Sequence, residues 1–151
     1  GVGLSIAMAC DFSIADTASK MTFAFINIGF IPDGGIVYLL SRAVGTVRAT
    51  ELLMSGRRFT GAQARDWGLL TEAVPGEELE ETVRKYIQKY STGPSVAYGQ
   101  LKGLINAACY HELGACMQNE VHAQYVCSLS EDYREAVNAF VEKRRPEFKG
   151  R

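Results

Sequence analysis

Asp33 is the residue in this sequence best placed to move a proton. It stands in Pro32-Asp33-Gly34-Gly35, at the start of a helical stretch. A carboxylate acting as a general base has to face an apolar pocket, and Phe23, Phe25, Ile28, Phe30 and Ile31 supply apolar surroundings. An aspartate at a helix start also has a plainer use, as a cap worth about 1 kcal/mol. Gly1-Val2-Gly3 marks a second glycine-flanked helix start. The first turn of a helix presents unpaired N–H groups and partial positive charge. Donors aimed at a carbonyl oxygen that becomes an enolate contribute on the order of 3–4 kcal/mol each. The alternative is a glycine turn that only packs a buried helix.

Other reactive types show no site spacing. His111 and His122 form no HxxxH pair and have no nucleophile motif beside them, so surface or packing roles are expected. Cys10, Cys109, Cys116 and Cys127 make no CxxC, and they read as buried or half-buried free thiols in a reducing compartment. No metal site is expected. The basic run from Lys143 to Lys149 reads as a solvated helix end, or as a contact for phosphates.

The elements around these residues follow from periodicity and punctuation. Leu4–Cys10 is apolar nearly all round, which predicts a helix buried on every side, ended by Asp11. Phe12–Ala15 reads as a short strand and Met21–Phe25 as another extended piece. Helices are predicted over Ile36–Val44, stopped by Gly45, and over Thr46–Met54, closed by Ser55-Gly56. Thr60-Gly61-Ala62-Gln63 fits a capping box for a helix over Gly61–Trp67, with Trp67 in the core. Leu69–Val74 reads as a strand. Beyond Pro75-Gly76, four apolar faces recur at helical spacing: Leu79/Val83/Tyr86/Ile87/Tyr90, Ala97/Leu101/Leu104/Ile105/Ala108, Leu113/Cys116/Met117/Val121/Gln124 and Tyr133/Ala136/Val137/Phe140/Val141. A mixed α/β part over residues 1–76 is thus followed by an all-α part over 77–151. The 151 residues are 47% hydrophobic and 22% charged with net charge −1, a balance that gives no field for nucleic acid or anionic membrane. No apolar run is long enough for a membrane span. The stretch before Asp11 lacks the basic flank of a signal peptide, and a cytoplasmic location is expected, with a mitochondrial or peroxisomal one as alternatives.

The stretches GVGLSIAMACDFSIA, INIGFIPDGG, LLSRAVG, RATELLMSGRRFTGAQARDWGLLTEAVP and AFVEKRRPEFKG together resemble the crotonase family, also called the enoyl-CoA hydratase/isomerase superfamily. The likeness runs from Gly1 to the chain end. It implies an α/β fold, a partial crotonase-like (ClpP/crotonase) spiral core followed by an all-α C-terminal trimerisation region. It also implies an acyl-CoA substrate, no cofactor beyond the coenzyme A of that substrate, and a homotrimer or hexamer. In such proteins two backbone N–H groups hold the thioester oxygen; the second falls on Val2, flanked by Gly1 and Gly3, and the first precedes Gly1. The chain therefore resembles the C-terminal half or more of a family member. The two glutamates with which hydratases add water fall on Ser5 and Phe25, neither of which can do carboxylate work. Asp33 aligns with an aspartate that other branches use, for proton transfer in isomerases and as a nucleophile in a dehalogenase. Phe25, Phe30 and Gly34 join the substrate-binding set. Phe140 and Lys143 match positions that touch the coenzyme A of a neighbouring subunit. The implied activity is a double-bond shift in an enoyl-CoA; hydration, aspartyl nucleophilic chemistry and a non-catalytic CoA-binding or oligomerisation module are its alternatives.

Overall fold

A computed structural model describes residues 1–151. Helix α1 (Val2–Met8) leads through β1 (Ile14–Asp16) and β2 (Lys20–Met21) to a 3₁₀ turn over Ala24–Ile28. Helix α2 (Ile36–Ser55), β3 (Phe59–Thr60), α3 (Gly61–Asp66) and β4 (Glu72–Val74) complete the mixed part. Four helices follow: α4 (Leu79–Ser91), α5 (Ser95–Cys109), α6 (Leu113–Leu129) and α7 (Glu131–Val141). None of the helices is long and apolar enough to cross a membrane.

Strand content is small. β1 pairs parallel with β4, Ala15 opposite Ala73, and β2 pairs antiparallel with β3, Met21 opposite Phe59. The apolar core sits over these ladders. Phe23, Ile36, Leu40, Leu52, Phe59, Ala64, Leu69 and Leu70 form it, with Trp67 packed on its edge. Trp67 is therefore not sealed inside: the guanidinium carbons of Arg48 and Arg57 stand 4.6 and 5.2 Å from its ring centre.

Several sequence expectations hold in detail. The Thr60/Gln63 capping box is formed in both directions and starts α3. Gly45 breaks α2 with φ 75° and ψ 163°, so the two predicted helices are two limbs of one kinked element. Other expectations are corrected. Phe25 is not extended; it lies in the 3₁₀ turn, which Gly29 ends in a left-handed conformation. Helix α1 is not buried all round. It encloses Ser5, 1% exposed, while Ile6 is 63% exposed and Cys10 lies at the surface. Leu4 and Met8 of α1 pack against the core, and the helix's main contact with another element is with α2.

The helical part departs from its predicted faces in a consistent way. On α7 the buried residues are Ala136 and Ala139, and Phe140 points outward. On α6 the buried residue is Glu120, and Val121 is exposed. On α5 Leu101, Leu104 and Ile105 are all exposed. Apolar period found part of each inner face, Leu113, Met117 and Gln124 on α6 and Tyr133 and Ala136 on α7, but it also included Val121, Val137, Phe140 and Val141, which are exposed, and it missed Glu120 and Ala139.

Candidate active site

The residues before α2 form a strap, and α1 and α6 hold it from two sides. Gly34 and Gly35 both have φ 75°, a region that residues with a Cβ enter at a cost. A Cβ on Gly34 would lie 3.2 Å from Ser5 Cβ and 3.9 Å from Val2 Cγ2. A Cβ on Gly35 would lie 2.7 Å from Leu113 Cδ1. The two glycines therefore permit both the turn and the close approach of α1 and α6.

From the α1 side, the Ser5 hydroxyl donates to the Asp33 carbonyl at 3.1 Å. Ser5 is thus a structural strut, consistent with its inability to serve as an acid. The Gly1 nitrogen donates to the Thr22 carbonyl at 2.7 Å, which fixes the start of α1 beside the 22–23 backbone. No side chain caps α1. Leu4 N–H donates to the Gly1 carbonyl at 2.9 Å, and the N–H groups at the very start of a helix have no intrahelical partner. Added Cβ atoms at Gly1 or Gly3 would meet open space.

From the α6 side, two residues one helical turn apart reach across. The Gln124 side-chain amide donates to the Ile31 carbonyl at 3.2 Å. The Glu120 carboxylate accepts from Gly35 N–H at 2.8 Å and from Val37 N–H at 3.4 Å. Glu120 is 5% exposed. Burial pushes the Cys116 thiol up from its ordinary range, and the Glu120 charge adds to that. Asp33 stands between these anchor points, half-buried, and its Oδ1 is enclosed with no hydrogen-bond partner. Buried polar atoms are nearly always satisfied, so this unpartnered carboxylate oxygen is the exception that calls for a reason.

The structure therefore brings Gly1, Val2, Ser5, Asp33 and Gly34 together. It treats the remaining predicted residues differently. The Phe30 ring packs on Tyr133 of α7, with centroids 4.8 Å apart. Phe23, expected near the carboxylate, is wholly buried and packs on Phe59. Phe25 is half-buried in the 3₁₀ turn. Phe140 is 77% exposed, and Lys143, also exposed, takes a left-handed φ of 56° just after α7. His111 and His122 are at the surface. In the basic run Arg144 pairs with Glu135 of α7, and just beyond it the backbone N–H groups of Lys149 and Gly150 donate to Asp132 of the same helix. The two large apolar cavities, of about 570 and 920 Å³, lie along the opposite flank of α1 among Phe12, Tyr86, Tyr90 and Tyr98 and do not include Asp33. Glu120 and Gln124 were not legible as site residues. The hint the sequence offered was Gln124, a polar residue on the predicted apolar face, with Glu120 one turn before it.

The chain matches a family model described as enoyl-CoA hydratase/isomerase over residues 1–151. It is 35% identical to the 1,2-epoxyphenylacetyl-CoA isomerase of Escherichia coli over 151 residues, all of this chain and 58% of the relative. It is 32% identical to the trans-2-decenoyl-[acyl-carrier-protein] isomerase of Streptococcus mutans, again over the whole chain and 57% of the relative. Among solved structures, an enoyl-CoA hydratase from Mycobacterium avium subsp. paratuberculosis superposes with a TM-score of 0.93 at 40% identity, covering 99% of this chain and 61% of that one. The chain thus spans rather more than half the length of the relatives it matches.

Proposed function

The chain belongs to the enoyl-CoA hydratase/isomerase family, and on that premise we propose that it forms part of an acyl-CoA isomerase in which Asp33 carries the proton. The observation that carries this reading is the enclosed, unpartnered Asp33 Oδ1 beside the start of α1. Two further facts favour isomerisation over hydration. Ser5 donates to backbone and Phe25 has no ionisable group, so the positions at which relatives activate water hold no acid. Two of the similar proteins are named as isomerases of thioester substrates.

The proposed step is a proton relay. The Asp33 carboxylate removes a proton from a carbon of the acyl chain, and the C–H electron pair moves into the thioester carbonyl. The resulting enolate oxygen takes hydrogen bonds from Val2 N–H and from a second donor outside residues 1–151. Asp33, now protonated, returns the proton at another carbon as the carbonyl re-forms. One carboxylate suffices, because one proton leaves and one is returned. The relay draws on no cofactor besides the coenzyme A that the substrate carries. Gly1, Gly3, Phe25, Phe30 and Gly34 line the acyl path in this reading. Phe140 and Lys143 meet the coenzyme A of a neighbouring copy in a trimer or hexamer, which their exposure permits.

Asp33→Asn in the natural-length protein is the test. Turnover of an enoyl-CoA should fall at least ~100-fold with the affinity for the CoA ester little changed. Unchanged turnover would reduce Asp33 to a structural residue. A substrate-derived ester trapped on Asp33 would instead indicate attack at carbon.

A further inference from the structure

Two carboxylates compete for one set of amides at the head of α2, and the more distant one in sequence has them. An aspartate naturally folds its side chain onto the N–H two residues ahead, here that of Gly35. That N–H is bound to Glu120 at 2.8 Å. The second Glu120 oxygen takes Val37 N–H at 3.4 Å. Asp33 Oδ1 is left enclosed and without a partner. We propose that Glu120 is a positioning residue that caps α2 in place of Asp33 and thereby keeps the Asp33 carboxylate free to exchange a proton. The inference rests on the role given to Asp33 above.

Three features support an arrangement built for this. Glu120 is almost fully buried, and a buried carboxylate is tolerated only when it is well hydrogen-bonded. Its companion Gln124 holds the Ile31 carbonyl on the other side of Asp33, so α6 grips the strap at both ends. Gly35 permits the approach, since any Cβ there would collide with Leu113 of the same helix.

The test replaces Glu120 in the natural-length protein and reads both structure and rate. In Glu120→Ala the freed Gly35 N–H should be taken by the Asp33 carboxylate, seen directly in a crystal structure. kcat should fall about tenfold or more while KM changes less than about threefold, as expected for loss of a transition-state contact rather than of binding. Glu120→Gln keeps an acceptor for Gly35 N–H, so Asp33 should stay free and most of kcat should return. An Asp33 that remains unpartnered in Glu120→Ala overturns the proposal. Should Glu120→Ala not fold, Glu120→Gln decides alone: retained kcat supports the capping role, and a collapse of kcat with Gly35 N–H still bound overturns it. The position of Asp33 is read without turnover, so a fully active Asp33→Asn would sink the isomerase reading and leave this one separately decided.

Discussion

Gly34 has the narrowest tolerance in the strap. Its φ of 75° and the 3.2 Å separation between a built Cβ and Ser5 Cβ act together. Gly34→Ala should cost about 1–3 kcal/mol, which chemical denaturation measures. It should also push Asp33 away from α1, so turnover should fall further than stability explains; a destabilised variant with normal kcat would show the strap to be slack. Asp33 itself was legible, because Pro-Asp-Gly-Gly combines an acid with two residues that tolerate a sharp turn. What the sequence could not show was which carboxylate takes the Gly35 amide. That depended on Glu120, 85 residues away from Gly35. A glutamate within a helix reads as solvated, and its burial arises only when α6 docks on the strap. Ser5 was visible as a lost acid, yet its bond to the Asp33 carbonyl was not, since a serine in an apolar run reveals no partner.

Punctuated elements were easier to read than faces. The capping box at Thr60, the break at Gly45 and the four helices after Pro75 all rest on local chemistry. Thr60→Ala should destabilise α3 by about 1 kcal/mol, a small but measurable drop in the unfolding midpoint. Leu52→Ala, in the wholly buried part of α2, should cost about 2–5 kcal/mol by the same measurement. The faces of α5, α6 and α7 were read only in part, because burial on them depends on what each helix packs against. The end of the chain adds a pH-sensitive element. Arg144 binds the Glu135 carboxylate and, with the Glu147 amide, holds it well below the usual range, at about 2. A depressed carboxylate adds stability at pH values above its unfolded pKa, and this is lost as pH falls through the folded value. The tail should therefore stay docked on α7 at neutral pH and loosen between about pH 4.5 and 2, read as loss of protection, relative to the intrinsic exchange rate, at the Glu147 amide that donates to Glu135. The pair is exposed, so salt should weaken the effect. Loss of protection at neutral pH would refute the docking.

The whole chain carries more surface than its mass requires. A compact folded protein of 16.5 kDa exposes about 7,600 Å², and this one exposes 9893 Å². The excess of about 2,300 Å² matches the area of an obligate interface. Much of what is uncovered is apolar: Val2 and Ile6 on α1, Val96 and Leu104 on α5, Val121 on α6, and Phe140 and Val141 on α7. These residues lie on elements from both parts of the chain. The relatives are longer, with this chain matching 58% and 57% of the first two, and residues corresponding to the rest of their length would be available to cover part of that surface. Neighbouring copies would cover the remainder in the proposed trimer or hexamer. Residues 1–151 prepared alone should then associate, with a light-scattering mass that exceeds 16.5 kDa and rises with concentration, and should show little turnover if, as proposed, the second oxyanion donor lies outside them. The natural-length protein should give one defined mass at a small multiple of its own chain. A monodisperse 151-residue monomer at every concentration would mean that the exposed apolar faces need no cover, and the proposed subunit contacts at Phe140 and Lys143 would lose their physical motive.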